Sequence, residues 1–166
     1  MALRGKKETG VLMVNVYRVC QKAGTRAGPD TAYSQIWTKM RKQGDRNPDP
    51  RNKCLDDVSN LILEWAQQGY HPLILMDANA EWEEKNLKEF TEKNGLIDII
   101  TDIHSEEDPP PTYARGRNKI DYILGDDHIR RAVVRAGAMN LMGGVAPSDH
   151  TMQYIDVDEL ILFGDN

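Results

Sequence analysis

Residues 71–80 read His-Pro-Leu-Ile-Leu-Met-Asp-Ala-Asn-Ala, and this stretch sets the organisation of the chain. Its first six residues form a short apolar run, which is typical of a buried strand. The run leads directly into Asp77 and Asn79, so two polar side chains lie where the strand ends. Strand ends on a rigid scaffold are common positions for catalytic groups. The stretch therefore predicts both a core strand and two candidate functional residues.

Strands and helices alternate on both sides of this stretch. Residues 10–19 are apolar and β-branched, which predicts a second buried strand. Apolar residues recur at helical spacing in three segments, which predicts helices over 31–41, 52–68 and 83–93. Strand-like segments dominate the last third of the chain, at 119–124, 131–138 and 151–157. Since no segment is long enough to be a linker, residues 1–166 are predicted to form a single α/β domain of the α+β type.

Composition restricts the class of protein. The 166 residues are 40% hydrophobic, which is enough to close one core. No apolar run approaches the roughly 20 residues of a membrane span, and no long apolar segment follows the basic N-terminus. We therefore expect an intracellular protein, cytoplasmic or nuclear, without a membrane partner. Cys20 and Cys54 lack Cys-x-x-Cys spacing, so they argue neither for a disulfide framework nor for zinc.

The formal net charge of −5 argues against binding nucleic acid through bulk electrostatics. Local basic clusters could still bind it, although the alternative for each is a solvated face. The clusters are Lys39, Arg41 and Lys42 with Arg46; Arg115, Arg117 and Lys119; and Arg130 and Arg131 with Arg135.

Polar side chains also lie at or near the ends of other predicted strands. Asp121 interrupts an otherwise apolar strand, where a buried carboxylate costs several kcal/mol unless it is paired. His150 is a candidate partner because a carboxylate on one ring nitrogen fixes the tautomer and raises the basicity of the other nitrogen. The alternative is that Asp121 faces solvent from an edge strand, and spacing alone does not decide. The remaining residues of this kind are Asn15, Tyr17, Arg18, Tyr122 and Asp149.

The tripeptide Ser148-Asp149-His150 precedes the last predicted strand. A protease-like triad is a poor interpretation because adjacent residues of an extended chain point in opposite directions. Taken alone, the tripeptide is most simply a Ser-Asp turn followed by a surface histidine.

Four motifs, taken in chain order, resemble the later motifs of the endonuclease/exonuclease/phosphatase superfamily. They are Asn15-Val16-Tyr17, Leu75-Met76-Asp77-Ala78-Asn79, Ile120-Asp121-Tyr122 and Ser148-Asp149-His150. The stretch 112–119 also resembles the threonine-aromatic and basic segment of retrotransposon-type endonuclease domains. The resemblance implies half or most of a β-sandwich flanked by helices, in a domain that lacks the family's N-terminal half.

The resemblance further implies hydrolysis of a phosphate ester by in-line attack of water, with Mg²⁺ (or Mn²⁺) as cofactor and nucleic acid, DNA rather than RNA, as partner. By similarity, Asp149 would bind the metal, His150 would contact the scissile phosphate or accept a proton, and Asp121 would orient His150. Asp77 would activate or position the water, Asn79 would hold the phosphate, and Tyr17 would contact the phosphate or assist the leaving group. The residues that would contact phosphate or nucleic acid are Thr112, Arg115, Arg117 and Lys119.

The departures from the family leave alternatives open. Its first half supplies an early asparagine and the principal metal-binding glutamate, and neither has a counterpart here. Glu81, Glu83 and Glu84 are candidate substitutes, although acids at a helix start are also the arrangement that the helix dipole favours. The function is therefore either a metal-dependent phosphodiesterase, foremost an endonuclease, or an inactive remnant that binds nucleic acid or protein. A small phosphate ester stays open as a substrate.

The missing half would normally cover one face of the sheet. Residues 10–19 and 73–76 are too continuously apolar to leave one side in water. We therefore expect an uncovered apolar face, and a chain that self-associates through it or is marginally stable.

Overall fold

The computed structural model describes residues 1–5, 8–20, 28, 30–105, 111–113, 117–139 and 148–164. Its strands are β1 Ala2–Arg4, β2 Gly10–Tyr17, β3 Tyr70–Asp77, β4 Ile97–Asp98, β5 Asp121–Gly125, β6 Val133–Met139 and β7 Met152–Val157. Its helices are α1 Ala32–Lys42, α2 Pro50–Ala66, α3 Lys85–Lys93, α4 Ile99–His104, α5 Asp127–Ala132 and α6 Glu159–Leu162.

Local chemistry explains the boundaries of the longest helix, α2. Asp49 caps its N-terminus and accepts hydrogen bonds from the backbone N–H groups of Arg51 and Asn52, at 3.0 and 3.1 Å. Pro50 occupies the first helical position, where its missing N–H has no cost. Gly69 follows the helix with φ of 79°, a left-handed conformation that suits glycine.

The central sheet contains five strands in the order β1-β2-β3-β5-β4. β2 and β3 are parallel, so both strands end at the same edge of the sheet. β5 pairs antiparallel with β3 and therefore begins at that edge. A separate antiparallel pair, β6 with β7, forms a second small sheet.

Both faces of the central sheet are packed. Side chains such as Ile74 and Leu124 point to the first face, where they meet α2 and α3. Side chains such as Leu73 and Ile123 point to the second face and pack with α4, α5, α6 and the β6–β7 sheet. The expectation of an uncovered apolar face is therefore wrong, because three short helices and the β6–β7 pair cover the second face.

The fold class is confirmed: this is a mixed α/β protein whose sheets are flanked by helices. The segment predicted as a strand over 131–138 begins two residues later, at Val133, because α5 ends at Ala132. Within the described ranges, no helix has the length and apolar character needed to cross a bilayer.

Candidate active site

Strand register places three of the predicted site residues in one row. Tyr17 pairs with Asp77 across β2 and β3, and Asp77 pairs with Asp121 across β3 and β5. Because paired residues of neighbouring strands project to the same face, the phenol and the two carboxylates share the second face at one edge of the sheet. Tyr17 is 60% exposed there, and both aspartates are half-buried.

His150 completes this row from a different part of the chain. Its Nδ1 lies 2.9 and 3.1 Å from the two carboxylate oxygens of Asp121. Ligand atoms of Asp77, Asp121 and His150 all lie within 4.8 Å of one another. The carboxylate favours the tautomer with the proton on Nδ1, which leaves Nε2 as an acceptor. Asp121 therefore faces His150 and not solvent, which resolves the alternative that spacing alone left open.

Thr112 contacts the backbone next to both members of the Asp121–His150 pair. Its hydroxyl accepts hydrogen bonds from the backbone N–H groups of Ile120 and Asp121, at 2.9 and 3.0 Å. Its carbonyl accepts from Thr151 N at 2.8 Å, next to His150. The side chain is only 2% exposed, so it stabilises the loop and does not offer its hydroxyl to a phosphate, which corrects the predicted role.

Asn79 lies directly beyond Asp77 in a strained backbone conformation, with φ of 46°. Its backbone N–H donates to Asp77 Oδ1 at 3.1 Å, and its side-chain Nδ2 donates to the carbonyl of Arg18 at 2.8 Å. The Cys20 thiol donates to Asn79 Oδ1. These contacts fix the orientation of the amide, and in the described part of the chain its second N–H has no acceptor.

Two buried arginines stabilise the loop that carries Asn79. Arg18 is fully buried, and its guanidinium donates to both oxygens of Glu84, at 2.7 and 3.1 Å. Arg51 donates to the carbonyl of Val19 at 2.8 Å and to that of Asn79 at 3.2 Å. Sequence reasoning noted Arg18 only as a polar strand-end residue and missed Arg51. An arginine directly after an apolar strand was the available signal for Arg18.

The three glutamates predicted as substitute metal ligands already have partners, beginning with Glu84 in this network. The hydrogen bonds from Arg18 lower the pKa of Glu84 below its usual range, ahead of the opposing effect of burial. Glu84 is therefore engaged as a counter-ion. Glu83 pairs with Lys88 at 2.7 Å, and Glu81 accepts from Asn118 at 2.6 Å. Glu81, Glu83 and Glu84 thus all have polar partners of their own.

The pKa values of the acid and of the phenol in the row are both raised. Burial raises the pKa of Asp77, the neighbouring Asp121 carboxylate raises it further, and the Asn79 N–H and His150 oppose the shift. Burial is also the first cause of the raised pKa of Tyr17, followed by Cys20 and Asp77. The Tyr17 phenol therefore stays protonated at neutral pH and can donate a hydrogen bond.

The donor set of this cluster fits a divalent cation. It offers carboxylate oxygens of Asp77 and Asp121 and the imidazole of His150, all within 4.8 Å of one another. Hard oxygen ligands suit Mg²⁺ and Mn²⁺, which need only one or two carboxylates. Asp149 is exposed and directly precedes His150 in the chain.

The predicted basic contacts divide into three cases. The Lys119 ammonium is buried against Asp98 Oδ2 at 2.5 Å and Thr101 Oγ1 at 2.9 Å, so its predicted contact with phosphate is wrong. Arg117 is exposed and could reach a ligand. Arg115 lies outside the described residues.

Three solved structures are similar to this chain over most of its length. The chain is 16% identical to the 3′ phosphatase NExo from Neisseria bound to a product DNA hairpin, with a TM-score of 0.60 over 91% of this chain and 62% of that one. It is 17% identical to the 3′-5′ exonuclease NExo from Neisseria meningitidis, with a TM-score of 0.61 over 89% and 61%. It is 19% identical to the human Nocturnin catalytic domain with bound sulfate, with a TM-score of 0.54 over 93% and 51%.

These likenesses show that the chain shares the fold of these three proteins. The chain spans about three fifths of the length of the NExo structures and half of the Nocturnin domain. No family model matches the sequence, and none of the curated proteins matches it.

Proposed function

We propose that this protein is a metal-dependent phosphodiesterase that hydrolyses nucleic acid, with endonuclease action on DNA as the preferred form. The observation that carries the proposal is the contact between Asp121 and His150 beside Asp77, at the edge where β2, β3 and β5 meet. NExo, which shares the fold, was solved with a product DNA hairpin, and this supports nucleic acid as the substrate class. We further propose an intracellular location, cytoplasmic or nuclear, and a retroelement origin.

The chemistry divides among the residues of the row. Asp121 holds the His150 ring so that Nε2 faces the substrate, where it contacts the scissile phosphate or accepts a proton. Asp77 accepts a hydrogen bond from the attacking water and so positions it. Tyr17 remains protonated and can donate a hydrogen bond to the leaving oxygen.

Two further groups bind the substrate. The second N–H of the Asn79 amide donates to a phosphate oxygen, because the loop contacts hold the amide in that orientation. Asp149 would hold the Mg²⁺ or Mn²⁺ ion, as the resemblance implies. When bound, that ion neutralises charge on the phosphate and on the leaving oxygen.

Cleavage of a labelled oligonucleotide tests the proposal. The purified chain should cleave it with Mg²⁺ or Mn²⁺ and stop with EDTA. Asp149→Ala should weaken metal binding, so that cleavage needs a higher concentration of Mg²⁺ or Mn²⁺, whereas His150→Ala should leave metal binding nearly intact and reduce the chemical step. The matched control is His71→Ala, because His71 also contacts an aspartate, Asp126, at 2.6 Å, near the start of β3 and away from the row. EDTA-resistant cleavage, or equal losses in both histidine variants, would refute the proposal.

One observation favours a second function, a binding module without turnover. Within the described residues, no glutamate is available in the row as the principal metal ligand, since Glu81 and Glu84 are engaged elsewhere. Metal-independent binding of the oligonucleotide without cleavage at any metal concentration would select this alternative.

A further inference from the structure

Helix α1 is unusual because it buries none of its eleven residues. Helices in proteins owe most of their stability to the packing of an apolar face. In α1 that face carries Ile36 and Trp37, which are 39% and 40% exposed. The shorter α3, by comparison, buries Leu87, Phe90 and Thr91. An aromatic and an aliphatic side chain of α1 are therefore available to a partner.

The same helix is basic in a chain of net charge −5. Lys39, Arg41 and Lys42 lie in its last turn, and Arg46 follows. Residues 30–46 contain only two acids, Asp30 and Asp45, against these four cations. In the described ranges none of the four takes part in an ion pair, and all are exposed. The Arg41 guanidinium lies 5.7 Å from the centre of the Trp37 ring.

A groove lies between α1 and α2 and reaches Tyr17, at the β2 end of the catalytic row. Its volume is about 380 Å³, and its lining includes Ile36 of α1, Pro50 and Cys54 of α2, and Val14 and Tyr17 of β2. Ile36 and Tyr17 therefore line the same groove, so the surface of α1 and the β2 end of the row lie on one side of the protein.

We propose that α1 binds single-stranded nucleic acid that flanks the scissile phosphate. An unpaired base stacks on Trp37, and neighbouring phosphates pair with Lys39, Lys42 and Arg46. Exposed aromatic rings flanked by cations are how proteins hold single strands without reading their sequence. The proposal rests on the proposed function. The basic charge of α1 complements a phosphate backbone, and the groove that reaches Tyr17 favours a ligand that also occupies the candidate site. The acidic surface of a second copy is the rival occupant, and the tests below separate the two.

Binding of a fluorescein-labelled single-stranded 12-mer in EDTA separates binding from cleavage. Trp37→Ala should weaken binding about 5- to 150-fold, whereas Trp37→Phe, which keeps an aromatic face, should stay within about 3-fold. Leu63→Ala is the matched control, because Leu63 is an exposed apolar residue of α2, and it should have no effect. Thermal unfolding of each variant checks that it is folded at the assay temperature, because the covered part of Trp37 contributes some stability.

The charges are tested by the dependence on salt. Replacing Lys39, Lys42 and Arg46 by Gln should lower the slope of log K against log salt by about 2, since each phosphate contact on a single strand contributes about 0.7. The control, Lys85→Gln with Lys93→Gln on α3, should leave the slope unchanged.

Three outcomes would overturn the inference. The Trp37→Ala variant could bind the 12-mer with an affinity within 2-fold of the wild type, or the wild type could fail to bind the 12-mer. In the third outcome, Trp37→Ala changes only the monomer–dimer equilibrium. The last would assign the surface to a second copy. A separate assay distinguishes failure of this inference from failure of the proposed function. Hydrolysis of bis(p-nitrophenyl) phosphate, which is too small to reach α1, tests the catalytic row alone and should be equal in wild type and Trp37→Ala.

Discussion

The buried pair of Lys119 and Asp98 offers the sharpest test of how the structure revises a prediction from sequence. A basic residue at the end of a basic run suggests a phosphate contact, but both side chains are under 10% exposed and their charged atoms lie 2.5 Å apart. The perturbation is Lys119→Met, which keeps the length of the side chain and removes the charge. We expect a loss of stability and no loss of substrate affinity.

The magnitude follows from the environment of Asp98. Removing one partner of a buried ion pair costs about 3–5 kcal/mol, because the other charge is left uncompensated. The hydroxyl of Thr101 still donates to Asp98 Oδ2, at 2.6 Å, which favours the lower end. Within the described residues Asp98 Oδ1 has no partner that could compensate further. A loss of about 3 kcal/mol in a chain of this size lowers Tm by about 6–12 °C.

Urea unfolding and a thermal scan measure this loss, and oligonucleotide affinity is measured well below Tm. The double variant Lys119→Met with Asp98→Leu is the control, because replacing both members of a buried pair by apolar residues is often neutral or stabilising. It should recover most of the lost stability. Unchanged stability of Lys119→Met together with weakened binding of nucleic acid would refute the reasoning and restore the phosphate contact.

Three further predictions concern the catalytic row and its support. Asp77→Asn should raise Tm at pH 7, because the raised pKa of Asp77 means that its ionised form costs stability; the gain should vanish as the pH falls below the unfolded-state pKa of about 3.9, and a gain independent of pH would contradict this. Glu84→Gln should cost about 2 kcal/mol in urea unfolding, a value reduced for its 32% exposure, whereas the exposed Glu83→Gln should cost nothing; equal effects would remove the ion-pair explanation. Asp121→Asn should lower kcat by roughly 100-fold or more at constant KM, because an amide cannot stabilise a charged His150 ring, and a change confined to KM would assign Asp121 to binding.

The contact between Asp121 and His150 could be anticipated because an acid inside an apolar strand requires a partner. Strand ends predicted the positions of Asp77 and Asn79 for a similarly local reason, since the apolar run stops there. The parallel pairing of β2 and β3 then brings Tyr17 into the same row. These features depend on neighbours in the chain or on strand periodicity.

Other features depend on contacts that sequence patterns do not encode. Lys119 reads as part of a basic run, and its partner Asp98 lies 21 residues away. Arg18 and Glu84 are 66 residues apart, so neither indicates the other. The cover on the second face of the sheet comes from helices of four to six residues, which are too short to show helical periodicity.

Cleavage in H₂¹⁸O tests the central claim most directly, because it reports attack of water on phosphorus at this row. With Mg²⁺ or Mn²⁺, the wild-type chain should place one ¹⁸O atom on the phosphate end that each cleavage creates and none on the hydroxyl end, and His150→Ala should give no labelled product. Absence of metal-dependent cleavage by the wild type, cleavage without ¹⁸O, or the same labelled product from His150→Ala would contradict the account.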